Sequence, residues 1–123
     1  MGRVYSENLE NTVEAAAAEC YALTMDMGKT ARRLEALGNE TRLAIYRILV
    51  RAGDDGLPVM ALQDRTGVPR STLSHHLHKL IAVDLVTQER QATTLICRAN
   101  LPVMKETMGF LLTECCADAP TCG

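Results

Sequence analysis

Hydrophobic side chains in the first half of the chain recur every three or four residues, which is typical of amphipathic helices. The spacing predicts a helix over 7–26 that ends at Gly28, then a shorter helix that stops at Gly38. Asn39 is a favourable residue to cap a third helix. The third helix is apolar on most sides, which predicts deep burial of Leu43, Ile45, Tyr46, Ile48, Leu49 and Val50.

Two shorter helical patterns flank a glycine in the middle of the chain. The first covers about 59–66, and Gly67 then predicts a tight turn. Pro69 stands at the start of the second pattern, where the first position of a helix tolerates a missing N–H. That second helix is expected to run to about Val83. Two helices joined by a short turn with glycine are the helix-turn-helix pattern.

The second of these helices has two contrasting faces. One face is an apolar stripe formed by Leu73, Leu77, Leu80 and Ile81. The other carries short hydrogen-bonding groups, from Ser71, Ser74, His75 and His78. A face that is merely solvated usually carries Lys and Glu, whereas Ser, His and Arg can reach phosphates and base edges in the major groove of DNA. The pattern therefore favours a helix that reads DNA.

The last third of the chain predicts a hairpin and a helix. β-Branched and apolar residues indicate strands over 85–89 and 93–98, and the tip at 89–92 has no strong turn signal. A helix over 101–116 opens with Pro102. Its wide apolar face consists of Val103, Met104, Thr107, Met108, Phe110, Leu111 and Leu112.

Composition limits the functional classes. With 123 residues, 47% of them hydrophobic, the chain is expected to form one domain with a core that needs no disulfides. The net charge is −2, but residues 27–53 carry six basic side chains against two acidic ones, so DNA could be bound locally. No P-loop, glycine-rich dinucleotide turn or His-Glu-x-x-His motif is present, so we expect no enzyme.

The start of the sequence does not look like a secretory signal, and we expect no membrane-spanning segment. The first residues lack an apolar signal core, and no apolar run reaches the ~18 residues of a membrane span. We therefore expect a cytoplasmic protein without membrane contact. A reducing cytoplasm and an odd count of five cysteines both favour free thiols over disulfides.

The stretches ALGNETRLAIYRILV and STLSHHLHKLIAVDLV make the sequence similar to the ArsR/SmtB family of bacterial metalloregulators. The resemblance implies a mainly α fold with a small β-hairpin, a winged helix-turn-helix, and a homodimer formed through the N- and C-terminal helices. It covers about 31–112. It implies a dimerisation helix and extension at 1–30, a DNA-binding domain with a dimerising last helix at 31–112, and a cysteine-bearing sensor tail at 113–123.

The same resemblance assigns residue roles. On the recognition helix it implies DNA contacts by Arg70, Ser71, Thr72, Ser74, His75 and Lys79. Arg90 and Gln91 match the tip of the wing, while His76 is expected to be a structural, hydrogen-bonded histidine. A dimer would place two recognition helices about one DNA turn apart, ~34–36 Å, so the expected partner is operator DNA with an imperfect palindrome.

The sensor is expected among the cysteines. The family's usual arsenic motif, Cys-x-Cys, is absent from 58–62, and residues 101–112 lack the Asp and His ligands of its zinc site. The resemblance to atypical arsenic sensors implies ligation by Cys115, Cys116 and Cys122, with Cys97 as the alternative third ligand. Such thiolates prefer soft ions.

The expected inducer is therefore trivalent arsenic, as arsenite or methylarsenite, with antimonite also possible. Its binding would release a repressor of an arsenic-resistance operon. The alternative is a thiol redox or persulfide sensor on the same fold, for which Cys97 and Cys116 are candidates.

Overall fold

The computed structural model describes residues 27–113 and 116–118. The predicted helix over 7–26, together with Cys20, Cys115 and Cys122, lies outside these residues. The described elements, in chain order, are α1 (27–37), α2 (Glu40–Ala52), a 3-10 turn (Gly53–Asp55), β1 (Leu57–Pro58), α3 (Val59–Thr66), α4 (Arg70–Ala82), β2 (Val86–Gln91), β3 (Thr94–Ala99) and α5 (Leu101–Leu112).

By its internal contacts the chain divides into two compact units, Met1–Ala31 and Arg32–Gly123. The described part of the first unit is residues 27–31, which belong to α1. The helix-turn-helix and the wing belong to the second unit. Within the described residues, no helix is both long and apolar enough to cross a membrane.

Helix α2 begins and ends where its sequence predicts. The side chain of Asn39 accepts a hydrogen bond from the backbone N–H of Arg42 at 3.0 Å, which satisfies one of the free donors at a helix start. Gly53 ends the helix at φ 70. The predicted burial is only partly correct, because Leu43 and Val50 are exposed. They lie on the side of α2 that points away from the core.

A single apolar cluster joins α2, the helix-turn-helix and the sheet. Aliphatic side chains dominate it, as expected for a chain with 3% aromatic residues. Burying each large aliphatic side chain contributes about 1.5–3 kcal/mol. The cluster contains Ala36, Ile45, Tyr46, Leu49, Val59, Leu62, Leu73, Leu77, Leu80, Leu85, Val86 and Cys97.

The wing is a three-stranded antiparallel sheet in the order β1-β3-β2. The hairpin was predicted, but its strands start and end later than expected, so the tip is the two-residue turn at 92–93. The short strand β1 was not predicted. It pairs Leu57 with Cys97 and Pro58 with Ile96, and it attaches the wing to the start of α3.

Three helix boundaries differ from the sequence prediction. Gly28 lies inside a helix that continues to residue 37. Pro69 is the N-cap of α4 rather than its first residue. Helix α5 stops at Leu112 instead of continuing to residue 116, and Thr113 turns into extended backbone. The thiol of Cys116 therefore lies beyond the last helix.

Candidate nucleic-acid interface and thiol sites

The turn between α3 and α4 is closed by local hydrogen bonds. Gly67 adopts the left-handed conformation, φ 72, and its N–H donates to the carbonyl of Gln63 at 2.8 Å. The hydroxyl of Thr66 donates to Leu62 O at 2.8 Å and accepts from the N–H of Val68 at 3.2 Å. This turn sets the direction in which α4 leaves α3.

Helix α4 has the two faces that the sequence predicts. Leu73, Leu77 and Leu80 are buried against the core. The opposite face is exposed, and its side chains make no side-chain hydrogen bond to any other described residue. The predicted DNA contacts on this face are Arg70, Ser71, Thr72, Ser74, His75 and Lys79. They are therefore available to phosphates and base edges.

His76 points away from that face and is half-buried. Its Nδ1 lies 3.3 Å from Nη1 of Arg42. The prediction of a structural, hydrogen-bonded histidine is confirmed. Burial lowers the pKa of His76, and the positive charge of Arg42 lowers it further, with smaller contributions from His75 and Lys79.

The wing presents Arg90 and Gln91 on its exposed outer end. Both lie on β2 just before the turn, where Ala92 has a positive φ of 59. The amide of Gln91 donates to Oε1 of Glu89 at 3.5 Å, while Arg90 forms no side-chain hydrogen bond within the described chain. Arg90 is thus placed where a wing-tip cation could meet a DNA backbone.

Arg98 fixes the wing to the helical body, a role that the sequence did not reveal. Its Nε donates to the carbonyl of Asp54 at 2.8 Å, and its Nη1 donates to Oε1 of Glu89 at 2.7 Å. Hydrogen bonding from Arg98 lowers the pKa of Glu89. An alternating strand pattern gives no sign of such contacts, because the partners are distant in sequence.

Cys97, the alternative third ligand, is a free thiol inside the sheet. Its exposed fraction is 0%, and its Sγ accepts a hydrogen bond from Nε2 of Gln88 at 3.4 Å. Burial raises the pKa of Cys97, and the hydrogen bond from Gln88 only partly opposes this. The thiol is therefore poorly prepared to act as a thiolate ligand without movement of the strands.

Cys116 lies in a turn at 116–118 with a positive φ of 64. It is disulfide-bonded, and the other half of the bond lies outside the described residues. For Cys116, this corrects the expectation of a free thiol. Within residues 27–113 and 116–118, no three His, Cys, Asp or Glu side chains converge to form a metal site. The predicted ligands Cys115 and Cys122 fall outside those ranges.

Comparisons with known proteins agree with this architecture. A family model described as a helix-turn-helix domain matches residues 37–89. Among solved structures, NolR from Sinorhizobium fredii is 31% identical, with 72% of this chain and 86% of that chain covered at a TM-score of 0.59. The DNA-binding domain of Mb0332 from Mycobacterium bovis, described as a homodimeric winged helix-turn-helix, is 27% identical. Its match covers 89% of this chain and 90% of that chain, with a TM-score of 0.58.

A curated relative carries arsenic in its name. ArsR2 of Halobacterium salinarum, named for repression of an arsenical resistance operon, is 37% identical over 60 residues. The match covers 49% of this chain and 50% of ArsR2. The chain spans less than two thirds of the length of the curated relatives it matches.

Proposed function

Because the chain belongs to the ArsR/SmtB family of winged helix-turn-helix transcriptional regulators, we propose that it is a repressor that binds operator DNA and is released by trivalent arsenic. The family consists of regulators rather than enzymes, and the chain is a regulator. The proposal that the protein binds DNA rests on one observation, the exposed face of α4. Six side chains that suit phosphates and base edges are exposed there, while the opposite side of α4 is fixed in the core.

The repressor would act as a homodimer. Helix α5 leaves Met108, Leu111 and Leu112 exposed on the described protomer, a pattern that favours a partner surface. The Mb0332 domain, similar over nearly the whole chain, is homodimeric. Two copies of α4 would then lie about one DNA turn apart, ~34–36 Å, and read the halves of an imperfect palindrome.

The proposed inducer site is formed by Cys115, Cys116 and Cys122 in the reduced protein. Trivalent arsenic takes three thiolates, and a methylated arsenical takes two. Cys116 follows the end of α5, so the site would adjoin the proposed dimer helix. The complete burial of Cys97 favours Cys122 as the third ligand. The relation to ArsR2 supports arsenic, and a reducing cytoplasm would keep the thiols available.

A titration of a protein–DNA complex tests this proposal. Full-length protein, reduced with a phosphine, first selects a duplex from a random-sequence pool. Arsenite, methylarsenite and antimonite are then added to the labelled complex, and release is followed by fluorescence anisotropy. Cys116→Ser should bind the duplex normally and resist release by arsenite. Cys122→Ser should also stay bound to the duplex when arsenite is added. Cys97→Ser should still release the duplex.

Two results would contradict the proposal at separate points. If no duplex is enriched, the chain does not bind DNA specifically. If DNA binds but arsenite releases wild type and Cys116→Ser at equal concentrations, the tail is not the arsenic site. Resistance to arsenite in Cys97→Ser, with normal release from Cys122→Ser, would assign the third ligand to Cys97.

The disulfide at Cys116 favours a second candidate function, a thiol redox repressor. Two thiols would lose two electrons and two protons to an oxidant such as a peroxide, and the new S–S bond would alter the segment after α5. On this hypothesis, peroxide releases the duplex, a thiol reductant restores binding, and arsenite has no effect. Release by arsenite under fully reducing conditions would exclude this alternative as the sole mechanism.

A further inference from the structure

A buried arginine on α2 connects helix α4 to the helices packed behind it. Arg42, on α2, is only 8% exposed, and its Nε donates to the carbonyl of Ala36 near the end of α1. Its Nη1 reaches Nδ1 of His76 at 3.3 Å. A hydrogen-bonded path thus runs from α1 through Arg42 on α2 to the inner side of the DNA-facing helix.

The chemistry of this contact fixes the protonation state of His76. An arginine guanidinium stays charged and can only donate. Nδ1 must therefore accept with its lone pair, which requires a neutral imidazole that carries its proton on Nε2. Protonation of Nδ1 would place two N–H groups against each other and bring two cations to hydrogen-bonding distance, so the contact between Arg42 and His76 would be lost.

We propose that His76 is a positioning residue for DNA recognition. Neutral His76 accepts the hydrogen bond from Arg42 and so holds α4 in the orientation that binds DNA. Protonation of His76 breaks this hydrogen bond, and α4 is then no longer held in that orientation. The inference rests on the proposed DNA-binding function. It goes beyond that function because it adds a proton as a second signal, independent of the cysteines.

The charges around His76 all favour its neutral form. Arg42 faces it from α2, and His75 and Lys79 act on it from its own helix. Burial makes the largest contribution to its lowered pKa, followed by Arg42. The hydrogen bond from Arg42 to neutral His76 contributes its full stabilisation above the ordinary histidine pKa of about 6.5. It is lost as the pH falls below that value and through the lowered pKa of the folded protein.

The outer face of α4 would affect DNA binding with the opposite sign. His75 and His78 are exposed on the side of α4 that would meet DNA. Positive charge on this side lies beside the phosphates and strengthens binding. Weaker binding in acid therefore distinguishes the proposed role of His76 from any effect of the exposed face.

The test compares His76→Asn with His76→Ala in full-length reduced protein. The probe is the duplex that the wild type selects at pH 7.5, and anisotropy gives Kd from pH 7.5 to 5.5.

In His76→Asn the amide oxygen replaces Nδ1 as a non-titrating acceptor. We expect His76→Ala to weaken binding about tenfold at pH 7.5, and His76→Asn to recover most of that loss. The ratio of the wild-type Kd to the His76→Asn Kd should rise as the pH falls. The full rise should be about tenfold for each unit by which the pKa of His76 is lower in the DNA complex than in the free protein.

A ratio that stays constant across this pH range would overturn the proposal. Since a variant could fail to fold, the wild type also provides a test. NMR titration of the His76 imidazole, with and without the duplex, should give a lower pKa in the complex, because binding and protonation are linked. A pKa that rises on DNA binding would overturn the proposal. Failure to select any duplex would instead refute DNA binding itself.

Discussion

Gly56 lies directly against strand β3 of the wing. Its φ of 70 and ψ of −170 belong to a region that is essentially restricted to glycine. A Cβ added to it would lie 2.5 Å from the carbonyl oxygen of Cys97 and 2.7 Å from Cγ of Arg98. Gly53 has nearly the same backbone, with φ 70 and ψ −152, but a Cβ there would meet nothing within 4 Å.

This pair of glycines separates backbone strain from steric overlap. Both Gly53→Ala and Gly56→Ala carry the strain of the positive φ. Only Gly56→Ala also pushes β3 away, and overpacking of this kind costs about 1–3 kcal/mol. We expect the free energy of unfolding, measured by urea denaturation, to fall further in Gly56→Ala by that amount. Equal losses in the two variants would show that the sheet yields without cost.

At the scale of elements, the start of α2 depends on one side chain. Asn39 Oδ1 accepts from the N–H of Arg42. Asn39→Ala removes this cap and should lower the free energy of unfolding by about 1 kcal/mol. Asn39→Asp retains an acceptor and adds a negative charge at the helix start, so it should keep wild-type stability in the same urea assay. A loss in Asn39→Asp as large as in Asn39→Ala would mean that the cap is not the cause.

The helix-turn-helix could be predicted from the sequence because its signals are local. Gly67 and the apolar stripe that contains Leu73 and Leu77 each act within a few residues of their position. The strand β1 could not be predicted, because Leu57 and Pro58 become a strand only by pairing with β3, some forty residues later. The contacts of Arg98 and Arg42 were missed for the same reason. A basic residue gives no sign in the sequence of which distant carbonyl it will meet.

The candidate sites also differ in whether their structure follows from local sequence signals or from contacts between distant residues. The exposed face of α4 follows from helical periodicity, so its six predicted contacts lie together as expected. The burial of Cys97 depends on the packing of the three-stranded sheet against the helices. Alternation along β3 was compatible with either a buried or an exposed thiol. The structure distinguishes these by placing Cys97 in the core.

At the scale of the molecule, Arg33 connects the proposed dimer helix with the recognition helix. Its Nε donates to the carbonyl of Val83, directly after α4, at 3.1 Å. Its Nη1 lies 3.8 Å from Oε1 of Glu106 on α5. Arg33 is buried, whereas the carboxylate of Glu106 is exposed and adds little energy by itself. Arg33 therefore links the middle of α5, at Glu106, to the residue that follows α4.

The apolar surface of α5 gives the prediction that concerns the assembled molecule. Leu111 is 51% exposed on the protomer, and Met60 on α3 is 65% exposed. If both side chains only faced water, a charged residue at either position would leave the oligomeric state unchanged. If α5 pairs with a second copy, Leu111→Glu buries a charge in that interface, whereas Met60→Glu does not.

Light scattering after size exclusion measures the difference directly. Wild type and Met60→Glu should have twice the 13.5 kDa mass of the chain. Leu111→Glu should shift toward the monomer mass and bind the selected duplex at least about tenfold more weakly, because one α4 alone contacts only half of the site. A Leu111→Glu protein that remains dimeric would place the interface elsewhere. A monomeric wild type that still binds the full duplex tightly would contradict the need for two recognition helices.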